Sequence, residues 1–314
     1  MVKTSHKEWN GELVRSEPAL FVSLAERIPE WSVLVGLIGT GQEIHKGEEE
    51  GLRQWHDAIQ SSRYPKEWHI HAPPDIANVF SGSTGRVVQE GVLSLDTELR
   101  YHLVASLHEF IESVLVTCSP KIARTIATKM YQGNPASPGG IRLWITREID
   151  VAKKYLRERY AGDVMARYGL VASSKDKILE DGFGVHNSFQ ATKNKSRLGA
   201  WYTEGPESER SCTRLESVAT EFDVQGLELD MALLAWGKDL IRVNGQWTNQ
   251  FAAGYKKGGV KVKDPFQLRL NSYRVLLTRG RDGTVVFLPP LQEMDETWDY
   301  LVSCGFRTLK ESVH

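Results

Sequence analysis

Hydrophobic positions along the chain follow two alternating patterns. Short runs of apolar, often β-branched residues predict buried strands, and the longer stretches between them, with apolar residues every three or four positions, predict helices. The predicted strands are Ser32–Ile38, Trp68–His71, Ile141–Thr146, Gly169–Ala172, Met231–Trp236 and Thr284–Leu288. Because strands alternate with helices, the pattern predicts an α/β fold in which helices flank a parallel sheet.

Three helices are well defined by this pattern: Leu99–Val116, Ile149–Tyr160 and Pro265–Thr278. The first has one apolar face, formed by Leu103, Leu107, Phe110, Ile111 and Val114. Gly133–Gly140 predicts a turn before the next strand. Gly237–Lys263 mixes aromatic residues, glycines and lysines without a period, which predicts a long excursion from the sheet.

Composition narrows the class of protein but does not identify it. The chain has 314 residues, of which 41% are hydrophobic and 25% charged, as in soluble globular proteins with one large or two modest domains. Lys and Arg total 39 against 40 for Asp and Glu. Since the net charge is close to zero, binding to nucleic acid would need a local basic patch.

The cysteines and the chain start predict a cytoplasmic protein without a membrane partner. Cys118, Cys212 and Cys304 lie far apart without C-x-x-C spacing, which favours reduced thiols used in packing. No apolar run approaches the roughly 20 residues that span a bilayer, and Met1–Glu12 has no hydrophobic signal core. The histidines show no spacing typical of metal ligands, so no metal site is predicted.

The stretch LIGTGQEIHKGEEEG, Leu37–Gly51, has the order strand, glycine loop, helix that is typical of a phosphate-binding loop. A G-x-x-x-x-G-K-[ST] loop needs a lysine and a hydroxyl at the helix start. Here Lys46 and Gly47 are followed by three glutamates, which would repel a triphosphate. The stretch is therefore not a loop of that type.

Two later stretches carry a family resemblance: VATEFDVQGLELD, Val218–Asp230, and NSYRVLLTRGRDGTVVFLP, Asn271–Pro289. Together with Ser16–Trp55 and Leu99–Leu115, in this order along the chain, they resemble the Schlafen group 3-like DNA/RNA helicases of superfamily 1. The resemblance covers the chain from about Trp9 to Cys304. It implies a RecA-like fold with two lobes and ATP bound between them, in which residues 1–74 are a remnant of the first lobe and residues 75–314 form the second.

The resemblance also implies roles for individual residues. Gln42 takes the place of a γ-phosphate sensor, Arg100 that of an arginine aimed at the γ-phosphate, and Arg279 that of the arginine finger. An arginine finger needs a permanently charged planar fork, which only arginine offers. Without the family, the alternative for GTGQE is a glycine turn before a surface helix. Arg100 taken alone is better explained as a solvated arginine at a helix terminus.

Gln225, Gly226 and Glu228 match the motif that links the nucleotide to strand binding. The resemblance implies that the glycine allows close approach of the backbone and that the carboxylate accepts a hydrogen bond from a ribose hydroxyl. As bare sequence, QGLELD could equally be a turn before the buried strand MALLAW.

Aromatic and basic residues in the excursion Gly237–Lys263 predict a nucleic-acid contact. Aromatic rings beside ammonium groups are typical of single-strand binding without sequence preference. The predicted binding residues are Trp247, Tyr255, Lys256, Lys257 and Lys261. An ordinary loop that packs its aromatic residues inward is the alternative. Lys193, Lys195 and Arg197, beside Trp201 and Tyr202, form a second, weaker patch.

The sequence contains neither the glycine-lysine loop nor the strand-end aspartate that hold ATP and Mg²⁺ in P-loop enzymes. On the family pattern these elements precede Met1, so ATP and Mg²⁺ are expected only together with first-lobe elements, for which a separate polypeptide is a possible source. The prediction is the C-terminal part of an ATP-dependent DNA or RNA helicase or translocase that does not hydrolyse ATP alone. The alternative is a non-catalytic nucleic-acid-binding or protein-interaction module on a helicase-lobe scaffold.

Overall fold

The structure is a computed structural model that describes residues 16–37, 52–94, 104–132, 140–188, 196–254, 262 and 264–310. The chain divides into two compact units. The first comprises Met1–Leu99 with Tyr255–Asp264, and the second comprises Arg100–Gly254 with Pro265–His314.

The first unit contains short helices and one pair of strands. Its helices are α1 (Glu17–Ala25), α2 (Arg53–Gln60) and α3 (Pro74–Ala77), and its strands are β1 (His69–Ala72) and β2 (Arg86–Gln89). The two strands pair in parallel, from His69 opposite Arg86 to Ala72 opposite Gln89. The domain boundary after residue 74 stays a prediction.

A small core and one carboxylate order this unit. Val22, Ala58, Ile59, Ile70 and Phe80 form the core. The carboxylate of Glu26, just after α1, accepts hydrogen bonds from the backbone N–H groups of Arg63 and Tyr64, each at 3.0 Å, and from the Trp68 indole at 3.1 Å. One side chain thereby fastens the turn before β1 to the end of α1.

The strand predicted at Ser32–Ile38 is wrong for its described part, because residues 31–37 have no regular secondary structure. Trp31, Val33, Val35 and Leu37 are 75%, 74%, 76% and 82% exposed. A strand is stable only when a neighbouring strand satisfies its backbone groups. Within the described ranges no strand pairs with this segment, so its apolar pattern has no sheet to join.

The second unit is built on a six-stranded parallel sheet. Its strands are β3 (Arg142–Thr146), β4 (Tyr168–Ala172), β5 (Val218–Thr220), β6 (Leu229–Ala235), β9 (Gly280–Phe287) and β10 (Arg307–Thr308), which lie side by side in the order β10-β3-β9-β6-β4-β5. The described helices are α4 (Val104–Leu115), α5 (Pro120–Gln132), α6 (Ile149–Arg159), α7 (Ile178–Phe183), α8 (Ser196–Thr203), α9 (Glu221–Val224), α10 (Pro265–Leu277) and α11 (Asp295–Cys304). The predicted α/β class, a RecA-like parallel sheet flanked by helices, is confirmed.

The central strands are apolar along their whole length because they are covered on both faces. Every residue of β4 is buried, and β6 is buried except at one position. The side chains of Ala152 and Leu156 on α6 pack with Leu170, Leu233 and Val285 on one face of the sheet. These strands and the helices α6 and α10 lie within a few residues of their predicted bounds.

The excursion that follows β6 forms an antiparallel hairpin over its described part. β7 (Ile241–Val243) pairs with β8 (Gln246–Thr248) across a turn at Asn244 and Gly245. Both turn residues have positive φ, 53° and 79°. An Asn-Gly pair at such a turn is the strongest short-range hairpin signal in a sequence. The sequence analysis described this region as lacking a period and did not predict the hairpin.

The cysteines pack as predicted. Cys118, Cys212 and Cys304 are free thiols, and the last two are buried. Burial raises the pKa of Cys212 and of Cys304 to about 11, so both are held as neutral thiols. Among the helices that the structure describes, none is long and apolar enough to cross a membrane.

Candidate functional site

The two sequence motifs of the second unit meet where the central strands begin. Glu228 immediately precedes β6, and Arg279 immediately precedes β9. These strands are neighbours that run in parallel, with Leu229 opposite Gly280. The N–H of Leu229 donates to the carbonyl oxygen of Arg279 at 2.8 Å. The structure thus brings the loop Gln225–Glu228 and Arg279 together at the amino edge of the sheet.

Arg279 links this loop to the preceding helix α10. Its side chain is 8% exposed. Nη1 donates to the carbonyl oxygens of Val224 and Leu227, both at 3.1 Å, and Nε donates to the carbonyl oxygen of Val275 at 2.8 Å. Nη2 donates to Thr278 Oγ1 at 2.9 Å. To contact a phosphate, the guanidinium would have to exchange these neutral acceptors for phosphate oxygens, so its role as an arginine finger stays a prediction.

The loop itself has the conformation that its glycine permits. Gly226 has a φ of +88°, a region that residues with a Cβ rarely adopt, and the space beside it is open. Gln225 and Gly226 are exposed, and Glu228 is half-buried. The hydroxyl of Tyr202, on α8, donates to the carbonyl oxygen of Glu228 at 2.8 Å and fixes the end of the loop. The roles of these three residues in nucleotide binding stay predictions.

A capping box starts the single turn α9 that leads into the loop. Thr220 donates to the carboxylate of Asp223 through its backbone N–H, at 2.9 Å, and through its hydroxyl, at 2.8 Å. The T-x-x-D spacing ends β5 and turns the chain back along the sheet. The nine residues 220–228 therefore cross the sheet from its carboxyl edge, where β5 ends, to its amino edge, where β6 begins.

A buried polar cluster occupies the opposite, carboxyl edge of the sheet. Its members follow β4, β5 and β6 or lie on α10, and they are Ser173, Asp176, Glu221, Asp239, Arg269 and Tyr273. Arg269 Nη1 donates to Ser173 Oγ at 2.6 Å and to Asp239 Oδ2 at 3.1 Å, and its Nη2 donates to Glu221 Oε1 at 3.1 Å. One arginine therefore binds the ends of three strands.

Asp176 and Tyr273 complete this cluster. Tyr273 donates its hydroxyl proton to Asp239 Oδ1 at 2.6 Å. Asp176 accepts from the N–H groups of Ile178 and Leu179 at the start of α7 and from the N–H of Lys238 at 2.7 Å. Burial, and then the negative charge of Asp239, raise the pKa of Asp176 to about 6.

Sequence reasoning did not find this cluster. It placed Gly237, Lys238 and Asp239 in the long excursion from the sheet, although they lie at the carboxyl end of β6. A Cβ on Gly237 would lie 2.2 Å from Asp176 Cγ, so the glycine is required by packing. The available signal was Arg269, a charged residue between two leucines of the helix, together with a carboxylate after each of two buried strands.

The predicted nucleic-acid residues fall mostly outside the described ranges, as do two of the predicted nucleotide contacts. Those outside are Tyr255, Lys256, Lys257 and Lys261, with Gln42 and Arg100. Trp247 is described and is 8% exposed. Its indole N–H donates to the carbonyl oxygen of Val114 at 3.2 Å, and its ring packs on Trp236 and Tyr300. In this conformation Trp247 packs inward, as in the alternative prediction of an ordinary loop, because neighbouring side chains cover its ring.

The second basic patch also has a packing role where it is described. Arg197 Nη2 donates to the carbonyl oxygen of Val218 at 2.9 Å, and the Trp201 indole donates to that of Ser217 at 3.2 Å. These bonds cover the outer edge of β5. Lys193 and Lys195 lie outside the described residues.

The donor set at the amino edge suits a phosphate better than a metal. Arg279 supplies a cationic fork, and Gly226 leaves open space beside an exposed loop. Within the described part of the chain, no group of three or more His, Cys, Asp or Glu side chains is placed to hold a metal ion.

Comparison with known proteins connects this geometry to one family. The profile of the family described as Schlafen group 3, DNA/RNA helicase domain, matches residues 5–290 of the chain. No curated protein matches the chain.

Proposed function

Since the chain belongs to the Schlafen group 3 DNA/RNA helicase domain family, we propose that it supplies the second RecA-like lobe of an ATP-dependent DNA or RNA helicase or translocase. Family membership indicates a helicase-related function and interaction with nucleic acid. The observation that supports the finer proposal is the meeting of Gln225–Glu228 with Arg279 at one edge of the sheet, through the 2.8 Å bond from Leu229 N–H to the Arg279 carbonyl.

At this edge, Arg279 would bind the phosphate oxygens of ATP. Bound ATP with Mg²⁺ would supply the γ-phosphate, and hydrolysis of the ATP would drive the motor. A guanidinium binds a charged phosphate more strongly than it binds neutral carbonyl oxygens, because the two opposite charges also attract each other. Phosphate oxygens can therefore displace the carbonyl oxygens of Val224 and Leu227 that Arg279 now contacts. Gly226 allows the loop backbone to approach the nucleotide, and the Glu228 carboxylate would accept from a ribose hydroxyl.

The remaining parts of the motor are proposed to come from first-lobe elements, which carry the phosphate-binding loop and the aspartate that holds Mg²⁺. They are expected from a partner polypeptide or from a longer form of this chain. Single-stranded DNA or RNA is the proposed second partner, with Lys256, Lys257 and Lys261 beside Tyr255 as its contacts, and Gln42 and Arg100 complete the proposed γ-phosphate contacts.

The proposal is tested by nucleic-acid-stimulated ATP hydrolysis, with the chain combined with a first helicase lobe that carries a phosphate-binding loop. Arg279→Lys keeps the charge but loses the fork, and we expect it to lower the hydrolysis rate by about 100-fold or more. Arg274→Lys is the matched control: Arg274 lies on the same helix and pairs with Glu112 of α4 at 2.5 Å. It should retain most of the activity at a similar melting temperature.

A second candidate, a non-catalytic binding module, is favoured by one observation. Arg279 makes four hydrogen bonds to acceptors of its own chain. If Arg279→Lys and Arg274→Lys leave the ATPase rate equally unchanged, or if no hydrolysis is obtained while single-stranded oligonucleotides still bind, this second function replaces the first.

A further inference from the structure

We propose that Arg269 is a positioning residue that fixes the loop Gln225–Glu228 from the opposite edge of the sheet, through its buried ion pair with Glu221. The inference rests on the proposed function, which makes this loop the part that faces the nucleotide. It assigns Arg269 and Glu221 a role in the site without direct contact with the nucleotide.

The ion pair is completely enclosed. Arg269 Nη2 lies 3.1 Å from Glu221 Oε1, and neither side chain is exposed to solvent. Glu221 is also held by Ser174, whose backbone N–H donates to Oε2 at 2.8 Å and whose hydroxyl donates to Oε1 at 3.0 Å. A buried carboxylate with an arginine partner is costly to move, because displacement of either group leaves a charge unpaired away from water.

Glu221 is the first residue of the segment that leads into the loop. It begins α9, immediately after β5, and the loop starts four residues later. The other end of the same segment is held by Arg279, which donates to the carbonyl oxygens of Val224 and Leu227. Both ends of residues 221–227 are thus fastened by arginines.

The two arginines lie near opposite ends of one helix. Arg269 lies within α10, and Arg279 lies two residues beyond its last residue, Leu277. With a rise of about 1.5 Å per residue, the helix spans nearly 20 Å and reaches from the carboxyl edge to the amino edge. A displacement of the polar cluster at one edge is therefore transmitted to the loop and to Arg279 at the other.

Asp239 offers an internal control for this role. It is as completely buried as Glu221 and binds the same guanidinium, with Oδ2 at 3.1 Å from Arg269 Nη1. It lies after β6, however, and is not part of the segment 221–228. Loss of either carboxylate charge removes one ion pair from Arg269, but only the loss at Glu221 releases the loop.

The test is amide hydrogen exchange in the full chain, with Glu221→Gln compared with Asp239→Asn. The amides that report on the loop are Leu227, whose N–H donates to the carbonyl oxygen of Val224 at 3.0 Å, and Leu229, whose N–H donates to that of Arg279. We expect Glu221→Gln to speed exchange at these amides by about tenfold, and Asp239→Asn by less than about threefold, at matched melting temperatures.

Equal acceleration by both variants would overturn the inference, because Arg269 would then serve general stability alone. No acceleration by either variant would overturn it as well. If Glu221→Gln does not fold, Arg269→Lys, which keeps the charge and loses the fork, is compared with Arg274→Lys in the same measurement. The readout needs no nucleotide, so a failure of the proposed ATP site and a failure of this coupling are seen separately.

Discussion

At the scale of single residues, two glycines of β9 carry the closest backbone contacts of the site. A Cβ on Gly280 would lie 1.9 Å from the carbonyl oxygen of Gly283, and a Cβ on Gly283 would lie 1.8 Å from that of Arg142. Gly283 also has a φ of +136°. The strand pairing shifts in the same region, between Leu229 and Met231. These glycines allow the strand that follows Arg279 to pass its neighbours.

Gly283→Ala should therefore destabilise the protein strongly. The new methyl group meets backbone atoms that cannot rotate away, and the φ angle becomes strained, so we expect a loss of about 3 kcal/mol or more in the free energy of unfolding. Gly199→Ala, in α8 with open space around it, should be neutral or stabilise by up to about 1 kcal/mol. Denaturant titration of both variants checks this, and an equal effect of the two would contradict it.

Asp176 should make stability depend on pH. Its folded pKa of about 6 lies above the ordinary value of 3.8, so the folded state binds the proton more tightly than the unfolded state. This carboxyl therefore adds stability as the pH falls through its folded pKa and loses that contribution as the pH rises through it. Between about pH 7.5 and pH 5 the gain is about 1 kcal/mol.

The measurement is the difference in unfolding free energy between the native chain and Asp176→Asn. Asn cannot titrate, so the advantage of the native chain should grow by about 1 kcal/mol on acidification from about pH 7.5 to pH 5. Other carboxyl groups titrate in both proteins and cancel in the difference. A difference that stays constant with pH would show that Asp176 is not the responsible group.

At the scale of elements, sequence reasoning succeeded where burial on both sides forces a continuous apolar run. β3, β4, β6 and β9 were found for this reason, as were α6 and α10, whose patterns are long. β5, β7, β8 and β10 have only two or three residues, too few for a period to be seen. The roles of Trp247 and Arg269 depend on which neighbours cover them, and this information is not contained in local pattern.

The segment at residues 31–37 gives a prediction at this scale. Its side chains alternate as in a strand, but they are exposed, and the helix α1 before it also exposes Leu20 and Leu24. In the monomer we expect the amides of residues 31–37 to exchange within seconds, because none of the strands that the structure describes pairs with them. Amides in the centre of β6 and β9 should exchange most slowly. Slow exchange across 31–37 in a verified monomer would contradict the described conformation.

At the scale of the whole molecule, the family match and the sheet account for different parts of the proposal. The match over residues 5–290 shows which family the chain belongs to. The sheet explains how two motifs more than forty residues apart, at Gln225–Glu228 and Arg279, reach one edge. Sequence resemblance had already implied that both motifs serve the nucleotide. The buried cluster that couples them to the carboxyl edge was found only from the structure.

The most direct test of the central claim is to map where nucleotide acts on the chain. Amide exchange is measured with a non-hydrolysable ATP analogue and Mg²⁺, on the chain combined with a first helicase lobe that carries a phosphate-binding loop. The account predicts slower exchange at residues 224–229 and 279–280, at the amino edge of β6 and β9, and loss of that protection in Arg279→Lys. Nucleotide binding that leaves these amides unchanged, or protects only the hairpin β7–β8, would contradict it.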